Sequence, residues 1–244
     1  MTGAVALETV PLALLAGGLG TRIRPVAGGV PKAMLDVAGR PFIAHVLELL
    51  RDKGVRRVVV CTGHLGDQIE RFVGDGAGFG LAVRYSREAA GLLGTAGALR
   101  QAAPRLGELF WVMYGDTYLD VDFREIHGAL PGAALGLMTV FRNDNRLGRS
   151  NVRLRDGRLV EYDKRAPRPD MTHIDYGLAL LRRAALAPVP SGTPADLADL
   201  YQGLVAQGAM AAFEVPTRFY EVGSPEGLAE TRTFLERRAA GRAR

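Results

Sequence analysis

Val10-Pro11-Leu12-Ala13-Leu14-Leu15-Ala16-Gly17-Gly18-Leu19-Gly20-Thr21-Arg22 joins a short apolar run to a glycine-rich loop, and Pro31-Lys32 follows shortly after. The run has the length of a buried strand. Glycines directly behind a strand let the backbone adopt open dihedrals and bring its N–H groups close to phosphate oxygens. A dinucleotide fingerprint would run straight into a helix, but Arg22, Arg24, Pro25, Gly28, Gly29 and Pro31 disfavour a helix start there. A Walker A loop needs Gly-Lys-Ser/Thr, which is missing. What remains is a long basic loop, with Arg22 and Lys32 ten residues apart, suited to wrapping a triphosphate.

Outward from this loop, strand-length and helix-length segments alternate. Pro41 opens an amphipathic stretch in which Phe42, Val46, Leu49 and Leu50 recur at helical spacing. Val55 to Thr62 is a β-branched strand, Gly66 to Val73 a helix, Leu81 to Tyr85 a strand and Gly94 to Ala103 a helix. Phe110 to Tyr114 is an apolar strand ending in Gly115-Asp116, and Ala134 to Phe141 is another. This alternation predicts an α/β fold, doubly wound, with a mainly parallel sheet and helices on both faces. Ligands bind such sheets beyond the carboxyl ends of the strands, so the loops after Leu15 and Tyr114 matter most. From Arg142 the texture changes to shorter strands: Asn151 to Leu154, the Asp156-Gly157 hairpin signal, Arg158 to Tyr162 and Ile174 to Leu181. These predict a small additional mixed sheet beside the first. Pro194 to Gln207 and Pro225 to Arg238 read as closing helices.

The composition fits one domain over residues 1–244: 48% hydrophobic and 23% charged residues exclude disordered, collagen-like and coiled-coil chains. The lone cysteine, Cys61, cannot form an internal disulfide and fits a reducing compartment. The first ten residues have no basic leader, and no apolar run approaches the ~20 residues of a membrane span, so a soluble, cytoplasmic protein is expected. The net charge of +5 fits nucleic acid or phosphorylated small molecules as partners. Much of the excess sits in Arg237, Arg238, Arg242 and Arg244, which read as a solvated helix end, and no stretch interleaves aromatics with basic residues. Phosphorylated small molecules are therefore expected rather than nucleic acid or a membrane.

The motifs carry a resemblance. GGLGTRIRP with PKAML resembles the opening of the sugar-phosphate nucleotidyltransferases, which join a sugar 1-phosphate to an NTP and release pyrophosphate. Leu93-Gly94-Thr95-Ala96-Gly97-Ala98-Leu99 is similar to that family's second motif, and Tyr114-Gly115-Asp116 to its metal-binding strand end. Asp163-Lys164 is similar to its Glu-Lys pair and Glu221-Val222-Gly223-Ser224 to its late Asp-x-Gly-Thr. These motifs follow the family's order from residue 15 to residue 224.

The resemblance implies a Rossmann-like nucleotide-diphospho-sugar transferase fold. Residues 10–141 would be a nucleotide-binding half, 142–224 a sugar-phosphate-binding half and 225–244 a C-terminal helix and basic tail. It further implies nucleotide contacts from Leu15, Ala16, Gly17, Gly18, Gly20, Thr21, Gly94 and Thr95, with Glu88 near the base. Arg22, Lys32 and Asp116 would be catalytic, Arg22 stabilising the leaving pyrophosphate. Asn151, Asp163, Lys164 and Gly177 would meet the sugar phosphate, and Asp116 with Glu221 would carry Mg²⁺. Length and opening motif look most like the heptose-1-phosphate guanylyltransferase branch, although thymidylyl-, uridylyl-, cytidylyl- and mannose-1-phosphate guanylyl-transferases use the same scaffold. The implied partners are an NTP and a sugar 1-phosphate, with a homo-oligomer left open.

The chain departs from the pattern at three places: Glu221 and Asp163 exchange the usual acidic residue for the other one, and Ser150-Asn151 stands where many members have Tyr-Gly. The chain holds 28 arginines and only three lysines, and two of those, Lys32 and Lys164, occupy the positions that the resemblance assigns to phosphate contacts. His45, His64, His127 and His173 lack metal-ligand spacing, Cys61 reads as a buried small hydrophobe, and Phe110 and Trp111 as core. Two other readings are weighed. A non-catalytic nucleotide-sugar-binding homologue would be expected to lose Arg22, Lys32 or Asp116, and all are present. A nicotinamide oxidoreductase needs an acidic residue closing the second strand, which instead ends Cys-Thr-Gly-His.

Overall fold

A computed structural model describes residues 6–20, 23, 28–88 and 91–242. In chain order these form β1 (Leu12–Leu15), β2 (Asp36–Val37), β3 (Arg40–Pro41), α1 (Phe42–Asp52), β4 (Arg57–Thr62), α2 (Gly66–Val73) and β5 (Ala82–Arg87). There follow α3 (Gly94–Ala102), β6 (Leu109–Tyr114), β7 (Thr117–Tyr118), α4 (Phe123–Gly128), β8 (Gly136–Arg142), β9 (Val152–Arg155), β10 (Arg158–Tyr162) and β11 (His173–Arg182). The last elements are α5 (Leu197–Ala206), β12 (Met210–Val215), β13 (Tyr220–Glu221) and α6 (Pro225–Arg242).

The strands β5, β4, β1 and β6 lie side by side and parallel, as the alternation predicts. Beyond β6 the sheet turns mixed: β11 runs antiparallel to β6 and to β8, and β12 runs parallel to β8. The β9–β10 hairpin is the small additional part, joined to β11 through the pair His173↔Val152. Two short ribbons complete the pattern, β2 with β3 and β7 with β13.

The central strands are apolar on both sides because helices cover both faces. Leu12, Leu14, Val58, Val60, Trp111 and Met113 point into one core layer with Phe42, Ile43, Val46, Leu47 and Leu50 of α1. The residues between them, Ala13, Val59, Cys61, Phe110 and Val112, point the other way, into a layer with Leu99 of α3 and Leu197, Tyr201 and Leu204 of α5. The period of two along each strand thus splits one sheet between two cores. Among the described residues, no helix is long and apolar enough to cross a membrane.

Three features depart from the sequence reading. Met210–Val215 is a strand and Phe123–Gly128 a short helix, neither of which the periodicity picks out. The arginine-rich end is not uniformly solvated. Arg238 pairs with Asp120, whose other oxygen lies 2.6 Å from Lys53 Nζ, and its guanidinium stands over the Tyr118 ring. Arg237 is exposed, while Arg244 lies outside the described residues.

Candidate active site

The parallel registers Leu15↔Cys61 and Leu15↔Tyr114 bring three strands to an end at one level. Their outgoing loops are tied together immediately beyond it: Ala16 N donates to Cys61 O and Gly115 N donates to Leu15 O, both at 2.9 Å. Above this floor opens a cleft of about 840 Å³, open to solvent. Of the residues singled out in the sequence, Leu15, Ala16, Gly17, Gly18, Lys32, Glu88, Gly94, Thr95 and Asp116 all line it. Gly20 lies in an adjoining groove shared with Gly18 and Lys32. Thr21 and Arg22 lie outside the described residues. Cys61 sits in the cleft floor, where burial, with a contribution from Glu88, pushes its thiol up to about 12, so it has no thiolate to offer as a nucleophile.

Charge concentrates at one end of the cleft. Lys32 Nζ donates to Asp116 Oδ2 at 2.9 Å, with both side chains only partly exposed. The β7–β13 ribbon pairs Glu221 with Thr117, and Val222 N donates to Asp116 O at 2.9 Å, which brings the second carboxylate beside the first. A Cβ added at Gly223 would lie 2.7 Å from Glu221 Oε2, 3.2 Å from Asp116 Oδ2 and 3.5 Å from Lys32 Nζ. Two carboxylates and an ammonium therefore surround a point that only glycine leaves open. Among the described residues no group of three or more His, Cys, Asp or Glu side chains gathers for a metal. A pair of carboxylates without a full protein cage fits Mg²⁺, which completes its shell with water and substrate phosphates.

Elsewhere the cleft wall is held by hydrogen bonds. Glu88 Oε2 accepts from Leu93 N at 2.6 Å, and a Cβ at Gly17 would approach Glu88 Oε1 to 2.9 Å and Gly63 N to 3.1 Å. Burial holds the Glu88 carboxyl above the ordinary glutamate range, with the Leu93 N–H opposing. The Thr95 hydroxyl donates to Asp196 Oδ1 at 3.1 Å and accepts from Leu197 N at 2.7 Å. Its proton is thus committed to the start of α5, so the Gly94-Thr95 turn and that helix are latched to each other.

Of the residues expected on the sugar side, Lys164 and Gly177 stand beside Tyr114 of the cleft wall. Lys164 Nζ lies 5.4 Å from the centre of the Tyr114 ring, and Gly177, at φ +90°, would press a Cβ to 3.3 Å from that ring. Asn151 is buried, and its Oδ1 accepts from Asp175 N at 2.9 Å. Asp163 is turned onto its own loop, accepting from Arg165 N and Ala166 N at 2.8 Å, which holds its carboxyl below the usual range.

Sequence reasoning missed Asp175. Its Oδ1 accepts from Gly177 N at 2.9 Å and the Tyr162 hydroxyl donates to Oδ2 at 3.5 Å. The available signal was a carboxylate inside an apolar strand two residues before a glycine. Enclosure raises the Asp175 carboxyl above the ordinary range, with Gly177 N–H, Lys164 and Tyr162 opposing. A folded pKa above the unfolded one makes this group's contribution to stability full at acid pH and lost as pH rises through the folded value. Asp175→Asn should therefore raise the melting temperature at pH 8 and leave it unchanged near pH 3, read by thermal denaturation across pH.

Residues 13–146 match the model of the nucleotidyl transferase family. N-acetylmuramate alpha-1-phosphate uridylyltransferase of Neisseria meningitidis serogroup B is 45% identical over 111 residues, 45% of this chain and 48% of that protein. UTP–glucose-1-phosphate uridylyltransferase of Synechocystis is 29% identical over 214 residues, 80% of this chain and 55% of that protein. The chain spans about half the length of these curated relatives. Among solved structures, HddC of Yersinia pseudotuberculosis in complex with GMP-PN matches with a TM-score of 0.77 at 24% identity, covering 93% of this chain and 99% of that one. That likeness speaks for the fold. Because the family match begins in β1 and runs through every element from the glycine loop to Asp116, the chain belongs to the nucleotidyl transferase family.

Proposed function

We propose that the protein transfers a nucleoside monophosphate from an NTP to a sugar 1-phosphate, with Mg²⁺, giving a nucleotide sugar and pyrophosphate. The observation that carries this reading is the convergence of Lys32, Asp116 and Glu221 on one point beside the glycine loop. In this reaction a phosphate oxygen of the sugar 1-phosphate attacks the α-phosphorus of the NTP in line, and the bond to the β-phosphate oxygen breaks. Little covalent work falls to the protein, so catalysis is alignment of two anions and neutralisation of developing charge. The backbone of Gly17 to Gly20 and the Lys32 ammonium hold the triphosphate, together with Arg22. Lys164, poised over Tyr114, takes the sugar phosphate. Asp116 and Glu221 would hold Mg²⁺, whose chemistry there is charge neutralisation across phosphate oxygens. Residues 10–141 thus serve the nucleotide and 142–224 the sugar phosphate, and the helix Pro225–Arg242 closes the fold.

For the product, we infer a GDP-heptose type, on the opening motif and the altered sugar side at Ser150-Asn151 and Asp163. A second reading, uridylyl transfer to an N-acetylated sugar 1-phosphate, is favoured by the 45% identity over 111 residues to the Neisseria meningitidis uridylyltransferase. Pyrophosphate release with Mg²⁺ separates them: each of ATP, GTP, CTP, UTP and dTTP against heptose, mannose, glucose and N-acetylated sugar 1-phosphates. Release from one pair names the substrates. No release from any pair, with nucleotide still bound, would refute the enzymatic reading in favour of a nucleotide-sugar-binding homologue.

Lys164→Met should raise KM for the sugar 1-phosphate about 10- to 100-fold, the worth of about 1.5–3 kcal/mol for a hydrogen bond to a charged group. Nucleotide affinity, measured by calorimetry without the sugar, should stay within twofold. Equal loss of both affinities would place Lys164 elsewhere in the mechanism.

A further inference from the structure

The Glu221 side chain is folded back over the first turn of α6. Oε2 accepts from Gly223 N and Oε1 from the Ser224 hydroxyl, both at 2.5 Å. Ser224 is the N-cap of that helix: its Oγ accepts from Gly227 N at 3.0 Å and its carbonyl from Leu228 N at 2.9 Å. The same hydroxyl therefore caps the helix and grips the carboxylate. The space the carboxylate occupies exists only because residue 227 has no side chain. A Cβ there would overlap Glu221 Oε1 outright and stand 2.5 Å from Cδ and 2.8 Å from the Glu221 carbonyl oxygen. Glycine inside a helix is destabilising relative to alanine, so helix propensity gives no reason for it, and the close approach of residue 221 does.

We propose that Gly227 and Ser224 are positioning residues for Glu221, an inference that rests on the reading of Asp116 and Glu221 as the metal pair. Gly227 leaves the room into which the glutamate folds, and Ser224 pins it there. The carboxylate then keeps Oε2 on the side of Gly223 that faces Asp116 Oδ2. An aspartate at 221 is one methylene shorter and does not reach the space over residue 227. Gly227 and the length of residue 221 are thus coupled: the overlap with the carboxylate exists only while 221 is glutamate, whereas the 2.8 Å approach to the residue 221 carbonyl oxygen does not depend on that side chain.

The test is a double-mutant cycle on the whole chain, read by Mn²⁺ affinity without substrates, using electron paramagnetic resonance, and by melting temperature. Gly227→Ala should weaken Mn²⁺ binding at least tenfold and lower the melting temperature. In the Glu221→Asp background the same substitution should change Mn²⁺ affinity less than twofold and lower the melting temperature by less than in the parent chain, since only the contact with the residue 221 carbonyl oxygen remains. Ser224→Ala should weaken Mn²⁺ binding in the parent chain, and Ser224→Thr, which keeps the hydroxyl, should restore it. Equal losses of Mn²⁺ affinity from Gly227→Ala in both backgrounds would overturn the inference and leave the metal reading standing. Unchanged Mn²⁺ affinity in Asp116→Asn would overturn the metal reading, and the inference with it.

Discussion

Asp116→Asn is expected to lower kcat at least 10³-fold while the protein stays folded. The substitution keeps the size and shape of the side chain and removes its charge. It deletes one of the two carboxylates that meet around Gly223 and leaves the Lys32 ammonium facing a neutral amide. A 10³-fold loss corresponds to about 4 kcal/mol of transition-state stabilisation, the scale of a lost metal clamp on transferring phosphate oxygens. The stability effect is of another order. The Lys32–Asp116 pair is 20% and 26% exposed, so solvent screens part of it. Partly exposed pairs contribute about 0.2–1 kcal/mol, or roughly 1–4 °C in melting temperature for a chain of this size. Steady-state kinetics beside thermal denaturation separates the two, and near-normal kcat would show that the catalytic carboxylate is elsewhere.

That contrast reflects what the sequence carries. β4 and β10 and the helix Gly66–Val73 were legible because short periodic runs bounded by glycines and turn residues specify them locally. The level ends of β1, β4 and β6 follow from the same runs, which is why the glycine loop, Lys32, Gly94 and Asp116 emerge at one cleft. The pairing of Glu221 with Thr117 has no such signature. It joins two-residue strands far apart in sequence, and only the packed fold decides it. The resemblance named Glu221, but neither motif nor period disclosed that its carboxylate depends on Gly227 and Ser224. Asp175 was hidden for a related reason: its neighbours are Asn151, just before β9, and Tyr162 of β10, and a strand pattern records only alternation. Arg238 looked like a solvated tail residue because a helix end rich in arginine normally is one. Asp120, its partner, lies in a loop after β7 that no helix period points to.

Gly94→Ala should be the most damaging single-methyl change at the cleft. Gly94 has φ +67°, in the left-handed region where a Cβ costs about 1–2 kcal/mol. The methyl would also lie 2.6 Å from Ala195 O, a backbone atom without freedom to retreat. That oxygen accepts from Ala96 N at 2.9 Å and Gly97 N at 3.2 Å, while Ala195 N donates to Leu93 O at 2.9 Å. Two steps later the Thr95 hydroxyl accepts from Leu197 N, so the whole seam between α3 and α5 is fixed from both sides. Relief therefore requires the seam to open, which breaks several of these bonds together and shifts Gly94 and Thr95 out of the cleft wall. Backbone strain and overlap together should cost about 3 kcal/mol or more, lowering the melting temperature by roughly 6–12 °C. Nucleotide affinity should fall at least tenfold in calorimetry. Gly18→Ala is the matched comparison: it adds the same methyl in the same cleft, with nothing within 4 Å and no positive φ, and should move the melting temperature by less than 2 °C. If the two variants melted together, the latch between the Gly94-Thr95 turn and α5 would hold nothing, and Gly94 would owe its place to a ligand instead.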